Sequence, residues 1–241
     1  MLESCEFFGK PSKISEPKFT ATVFPPGRFP KRPSMSDKIT PPYRIETART
    51  IVRCYQPTDA ALLRQSIEES LDHLRPWLPW VKDEPESLEQ KVQRLRKFRG
   101  KFDLDEEFVY GIFSEDGSQL IGGTGFHDRI GPNALEIGYW IHPAHANQGI
   151  TTEVSAALVK VAFEICKLDR VEIRCDPKNL ASARVPEKLG FTHEATLRDR
   201  LTNVEGEPCA TMIWSLFAND FPQGPCAAAK LEAYDALGEQ Y

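Results

Sequence analysis

Residues 135–191 run through two hydrophobic periods in a fixed order, and that order constrains the fold more than any other part of the chain. In LEIGYWI, Leu135, Ile137, Tyr139 and Ile141 fall on one side of a strand and Glu136, Gly138 and Trp140 on the other. Beyond Pro143 and a polar turn, Ile150, Val154, Leu158, Val161, Ala162 and Ile165 recur at spacings of three and four, which predicts a helix. Residues 171–175 read as a second strand, and a second helix opens at Asn179 and stops at Gly190.

The turn is Ala146-Asn147-Gln148-Gly149-Ile150-Thr151. A helix start leaves unpaired N–H groups and a partial positive charge, so a loop closing on one can cradle an anion. Gly149 would let the backbone approach a phosphate with no side chain between. Most strand–loop–helix turns bind nothing, so the reading depends on the blocks that flank it.

Together with those blocks, the turn resembles the GNAT superfamily of acetyl-CoA-dependent N-acetyltransferases, and most closely its RimJ/RimL-like branch, which acetylates ribosomal-protein N-termini. The resemblance rests on Glu136-Ile-Gly-Tyr-Trp-Ile, on Gly149 with Thr152-Glu153, on Asn179-x-x-Ser182, and on Glu187-Lys-Leu-Gly-Phe191. It extends more loosely over 45–221. The fold it implies is α+β: a mixed, mostly antiparallel sheet of about seven strands flanked by helices and splayed between the fourth and fifth. It also implies that residues 146–151 (Ala146, Asn147, Gln148, Gly149, Ile150, Thr151) take the pyrophosphate of acetyl-CoA. A backbone N–H among Tyr139, Trp140 and Ile141 would polarise the thioester, and Asn179 would hold the pantetheine arm or its ordered water. Ser182 matches the position that protonates the departing thiolate; the tyrosine many members use there is missing from 176–195. The family loop usually reads Arg/Gln-x-x-Gly-x-Gly/Ala, often with another glycine after the first residue, whereas this chain has Ala146 at the Arg/Gln place, Asn147 at that second glycine and Thr151 at the Gly/Ala place. Asn tolerates positive φ better than other non-glycine residues, so cofactor binding is expected to survive.

Direct transfer needs a route for one proton to leave the amine, a donor for the oxyanion and a proton for the thiolate. Glu136 is the acid nearest the reacting centre in sequence and is assigned the base role through water; its alternative is a strand-edge salt bridge. Trp77 and Trp80, in HLRPWLPW, either cover the acceptor or plug a gap between helices. His127, ending a strand near the expected acceptor side, is a substrate contact or a structural histidine. An α-amine needs a weaker base than a lysine, which favours a peptide N-terminus as acceptor. A small-molecule acetyltransferase acting on an antibiotic, amino acid or polyamine stays open, as does a non-catalytic acyl-CoA-binding module.

The remaining sequence bounds the class. The 241 residues carry 30 Lys and Arg against 35 Asp and Glu, a formal charge of −5, which argues against general nucleic-acid binding. No stretch reaches a membrane span, and the acidic N-terminus is unlike a secretory signal, so the cytoplasm is the expected compartment. Six cysteines show no Cys-x-x-Cys pair or histidine at ligand spacing, and no metal is expected. Residues 1–44 hold eight of nineteen prolines and eight basic residues against four acids; they predict a proline-rich basic extension. Glycines 122, 123 and 125 lie within a strand and open no helix, so they are not a dinucleotide fingerprint. Ala227, Leu231 and Tyr234 predict a helical tail in 222–241, with Gly238 past its end, packing on the 45–221 domain or on a second subunit of a homodimer.

Overall fold

One sheet carries nine strands in the order β7-β8-β6-β5-β4-β3-β2-β1-β9. The structure, a computed structural model, describes residues 39–241 apart from Val204. Strands β1 (Arg44–Glu46), β2 (Thr50–Cys54), β3 (Phe108–Ser114), β4 (Leu120–His127) and β5 (Ala134–Ile141) form a continuous antiparallel run. The β3–β4 connection is the expected hairpin, where the Asp116 carboxylate accepts from the Ser118 N–H at 3.0 Å. Strand β6 (Arg170–Cys175) lies parallel to β5, and the long hairpin β7 (Thr192–Thr202) and β8 (Pro208–Phe217) completes that side. This is the α+β, mixed and mostly antiparallel architecture expected from the sequence, with nine strands in place of about seven.

The two additional strands have one origin. Strand β9 (Glu232–Tyr234) pairs antiparallel with β1, each only three residues long and too short to display a period of two. The helical tail expected in 222–241 is therefore corrected: Pro225–Ala228 is a 3-10 turn, and Glu232–Tyr234 is an edge strand. Ala227, Leu231 and Tyr234 are spaced like a helical face, but Ala233 is the residue that the strand buries. The expected start at residue 45 also moves. Pro41 and Pro42 are buried, the Tyr110 hydroxyl donates to the Pro42 carbonyl at 2.8 Å, and Ile39 packs on the core. The rest of the expected extension, 1–38, lies outside the described residues.

Helices α1 (Ala60–Glu68), α2 (Leu71–Leu74) and α3 (Leu88–Asp103) come between β2 and β3. The α3 start has a full capping box, in which Ser87 Oγ accepts from Gln90 N–H and Gln90 Oε1 accepts from Ser87 N–H. Ala60, Leu63 and Ile67 of α1 and Leu95 of α3 bury against Phe113 and Leu120 in the smaller of two apolar clusters. Helix α4 (Ile150–Lys160), prolonged by a π-helical turn at Val161–Ile165, packs in the larger cluster with Leu135, Ile137, Val171 and Ile173. Helix α5 (Leu180–Lys188) starts at Asn179, whose side-chain oxygen accepts from the Ser182 N–H at 3.0 Å.

The segment between α2 and α3 is pinned by a buried charge. Lys91 of α3 is 0% exposed; its ammonium bonds Glu84 and lies 3.1 Å from Glu86. Arg94 Nε donates to Glu86 at 2.9 Å. Such a group is tolerated inside only when paired, so the pairing fixes where 84–86 can sit.

Candidate active site

Strands β5 and β6 begin side by side and then part. Their pairing covers Ala134↔Arg170, Leu135↔Val171 and Glu136↔Glu172 and goes no further, while β5 stays paired to β4 up to Ile141. Residues 137–141 thus have no strand partner on the β6 side, which leaves unpaired backbone groups at an internal edge. This is the splay expected between the fourth and fifth strands. A cleft of about 1450 Å³ is lined by residues from both faces of β5, namely Glu136, Gly138 and Trp140 from one and Ile137, Tyr139 and Ile141 from the other.

At one end of the cleft stand Ala146, Asn147, Gly149, Ile150 and Thr151. Gly149 is the α4 N-cap at φ +78°, and Asn147 takes φ +60°, the left-handed conformation anticipated for asparagine there. The glycine is needed for its backbone angle; a Cβ there would meet only the Arg49 side chain, at 3.7 Å. The Gln148 side chain does not line the cleft, because its amide donates to the Ala144 carbonyl at 2.8 Å. Its carbonyl accepts from Arg49 Nη1 at 2.9 Å, and Arg49 also bonds Glu153, with Nε to Oε2 at 2.7 Å. Arg49 therefore holds the loop from outside and neutralises an acid in the first turn of α4. The loop keeps small residues and a helix start facing the cleft, a shape and polarity that fit a diphosphate.

Midway, the Tyr139 hydroxyl lies 3.2 Å from Ser182 Oγ and donates to the Ser182 carbonyl at 3.1 Å. Burial pushes the Tyr139 phenol well above its ordinary range, with the Ser182 hydrogen bond opposing, so it stays protonated and able to donate. Cys175, at the end of β6, lines the same space, and burial raises its thiol. Asn179 and Ser182 also face the cleft, with Arg184 and Lys188 one and two turns along α5. A tyrosine beside Ser182 is absent from the local sequence because it comes from another strand, 43 residues away.

The opposite face of β5 holds the remaining candidates. Trp77 and Trp80 line the cleft with His73 and Phe98. The Trp140 side chain joins the apolar cluster on this face, its indole occupying the space a Gly123 side chain would take, so only its backbone can serve the gap. His127 stands across from Glu136 in the β4–β5 register. Glu136 is 3% exposed, and both of its oxygens are bonded to Arg129, with Nε to Oε2 at 2.8 Å; Arg174 Nε is 3.6 Å from the same Oε2. Hence the carboxylate assigned the base role has the salt bridge that was its alternative. Burial, and then Arg129, lower the His127 ionisation below its ordinary 6.5, leaving a neutral imidazole at neutral pH. Among the described residues no group of three or more His, Cys, Asp or Glu could hold a metal ion, and no helix is long and apolar enough to cross a membrane.

Comparison with known proteins adds what geometry alone does not. Residues 49–192 match a family described as "Acetyltransferase (GNAT) domain". The protein named "Probable N-acetyltransferase YjcK" of Bacillus subtilis is 33% identical over 150 residues, covering 61% of this chain and 82% of that one. The ribosomal-protein-serine acetyltransferase of Escherichia coli is 30% identical over 129 residues, 52% of this chain and 70% of its own. Among solved structures, Mycobacterium smegmatis RimJ in complex with CoA-disulfide superposes with a TM-score of 0.66 at 22% identity, over 77% of this chain and 92% of that one, a likeness of fold.

Proposed function

This chain belongs to the GNAT acetyltransferases, and from that premise we propose that it moves an acetyl group from acetyl-CoA to the α-amine of a peptide or protein N-terminus. The observation that carries the reading is a continuous cleft at the opened sheet, lined both by a phosphate-type loop and by an aromatic wall. Its volume exceeds the roughly 300–1,000 Å³ of a usual small-ligand pocket, room for two substrates at once.

Acetyl-CoA supplies the acetyl group already activated as a thioester. The amides around Gly149 hold its diphosphate, and Asn179 and the unpaired edge of β5 hold the arm. An N–H among residues 139–141 donates to the oxygen on which charge develops. Ser182, backed by the Tyr139 hydroxyl, gives the sulfur its proton. Glu136 keeps Arg129 and Arg174 at the acceptor mouth, where Trp77, Trp80 and His127 receive the incoming chain.

Energetics favour an α-amine. Neutralising a group that titrates near 8 costs about 1.4 kcal/mol at pH 7, whereas a lysine near 10.4 costs about 4.6 kcal/mol. The E. coli relative is named for a ribosomal-protein serine, which supports the same acceptor class. Thiol release from acetyl-CoA should be seen with serine- or alanine-initiated peptides and be weaker by an order of magnitude or more with polyamines, amino acids and aminoglycosides. The reverse preference would give the small-molecule reading instead. Ser182→Ala and Tyr139→Phe should each lower kcat about tenfold or more, and the double variant should be little worse than either single one, because the two hydroxyls act as one unit. Additive losses would separate them.

A further inference from the structure

Resting on the acetyl-transfer reading, we infer that His127, with its imidazole laid against the backbone of β5 at Gly138, is the general base that takes the proton from the attacking amine. Three observations carry this. First, His127 and Glu136 are cross-strand neighbours, so the imidazole is on the acceptor face of β5. It leans along that strand towards the gap, to the point where Nε2 lies 2.9 Å from where a Cβ on Gly138 would stand. The residue that admits it is thus the last before the stretch 139–141 that holds the thioester.

Second, among the described residues neither ring nitrogen has a hydrogen-bond partner, and the side chain lines the cleft. A neutral imidazole with a free lone pair facing substrate is what proton abstraction requires. Third, the nearest carboxylate is engaged: both oxygens of Glu136 are taken by Arg129, with Arg174 close behind. The charged groups around the imidazole are Arg129 just past β4, Glu136 on β5, and Glu107 ahead of β3, the last paired to Lys101 at 2.7 Å. Burial, and then Arg129, outweigh the two carboxylates and hold the imidazole's ionisation below its ordinary value.

The step balances with the groups named. The amine nitrogen forms a bond to the acetyl carbon, and the bond from that carbon to sulfur breaks. The surplus amine proton passes to the imidazole, the sulfur takes one from Ser182, and the imidazolium and the serine exchange with water to restore both. Strand β5 thereby separates a proton-accepting face, at His127, from a proton-donating face, at Tyr139 and Ser182.

The test uses the full chain, acetyl-CoA and a serine-initiated peptide. His127→Gln should lower kcat by about 10²- to 10⁴-fold with the KM for acetyl-CoA unchanged. In kcat/KM the wild type should lose activity with two protonations as pH falls, one of the amine and one of an imidazole ionising below 6.5. The variant should retain only the amine limb. Gly138→Ala, which pushes the ring aside, should reproduce the kcat loss, and calorimetric CoA binding identifies variants that remain folded. Unchanged turnover in a folded His127→Gln, or loss of the acidic limb in Glu136→Gln with its retention in His127→Gln, overturns the assignment. A wild type that turns over no amine at all overturns the acetyl-transfer reading itself, and this inference with it.

Discussion

Arg49 belongs to no motif, yet its guanidinium reaches across from the β1–β2 turn to the Gln148 carbonyl and to Glu153. Without it, the Glu153 carboxylate in the first turn of α4 would lose its cation beside the loop proposed to take a diphosphate. Arg49→Ala should therefore weaken CoA binding by about tenfold in calorimetry, roughly 1.4 kcal/mol, with kcat at saturation unchanged. Glu153→Ala on the same background should restore most of the loss; if it does not, Arg49 acts through the loop carbonyl alone. Single residues are legible where chemistry and backbone angle coincide: Asn147 takes the left-handed conformation that asparagine tolerates. Arg49 and the Tyr139–Ser182 contact are not, because each joins positions far apart in sequence. Nothing in the local pattern around Glu136 reveals that Arg129 and Arg174 close on it.

Elements were readable in proportion to their length. Strands of five residues or more and the α3 and α4 helices are legible in the sequence, whereas three-residue β1 and β9 have too few positions to show a pattern. The tail resembles a helix in sequence because a turn and a short strand place apolar residues at spacings a helix would also use. The connection from α2 to α3 shows what pattern reading leaves out: its geometry depends on Lys91, a charged residue inside the fold. Lys91→Met would leave Glu84, 1% exposed at its side chain, without its cation. A loss of about 3–5 kcal/mol is expected, measurable as a shifted denaturant midpoint. Because Trp77 and Trp80 precede the pinned residues, the peptide KM should rise in the folded fraction while the acetyl-CoA KM holds.

For the molecule as a whole, the family blocks over 136–191 foretold both the architecture and the opening between its fourth and fifth long strands. They could not foretell that one cleft serves both faces, since that arises from how β7, β8 and the α2–α3 segment close around the gap. The consequence concerns motion. Three residue pairs are the whole seam between β5 and β6, so the sheet is two leaves joined at one end. Amides of 137–141 that point into the opening should exchange with deuterium as fast as those on a free edge, while their β4-bonded neighbours exchange slowly. Once CoA is added, those same amides should become protected, because the bound arm takes the place of the strand that turned away. Rapid exchange that CoA leaves untouched would mean that the ligand does not bridge the leaves.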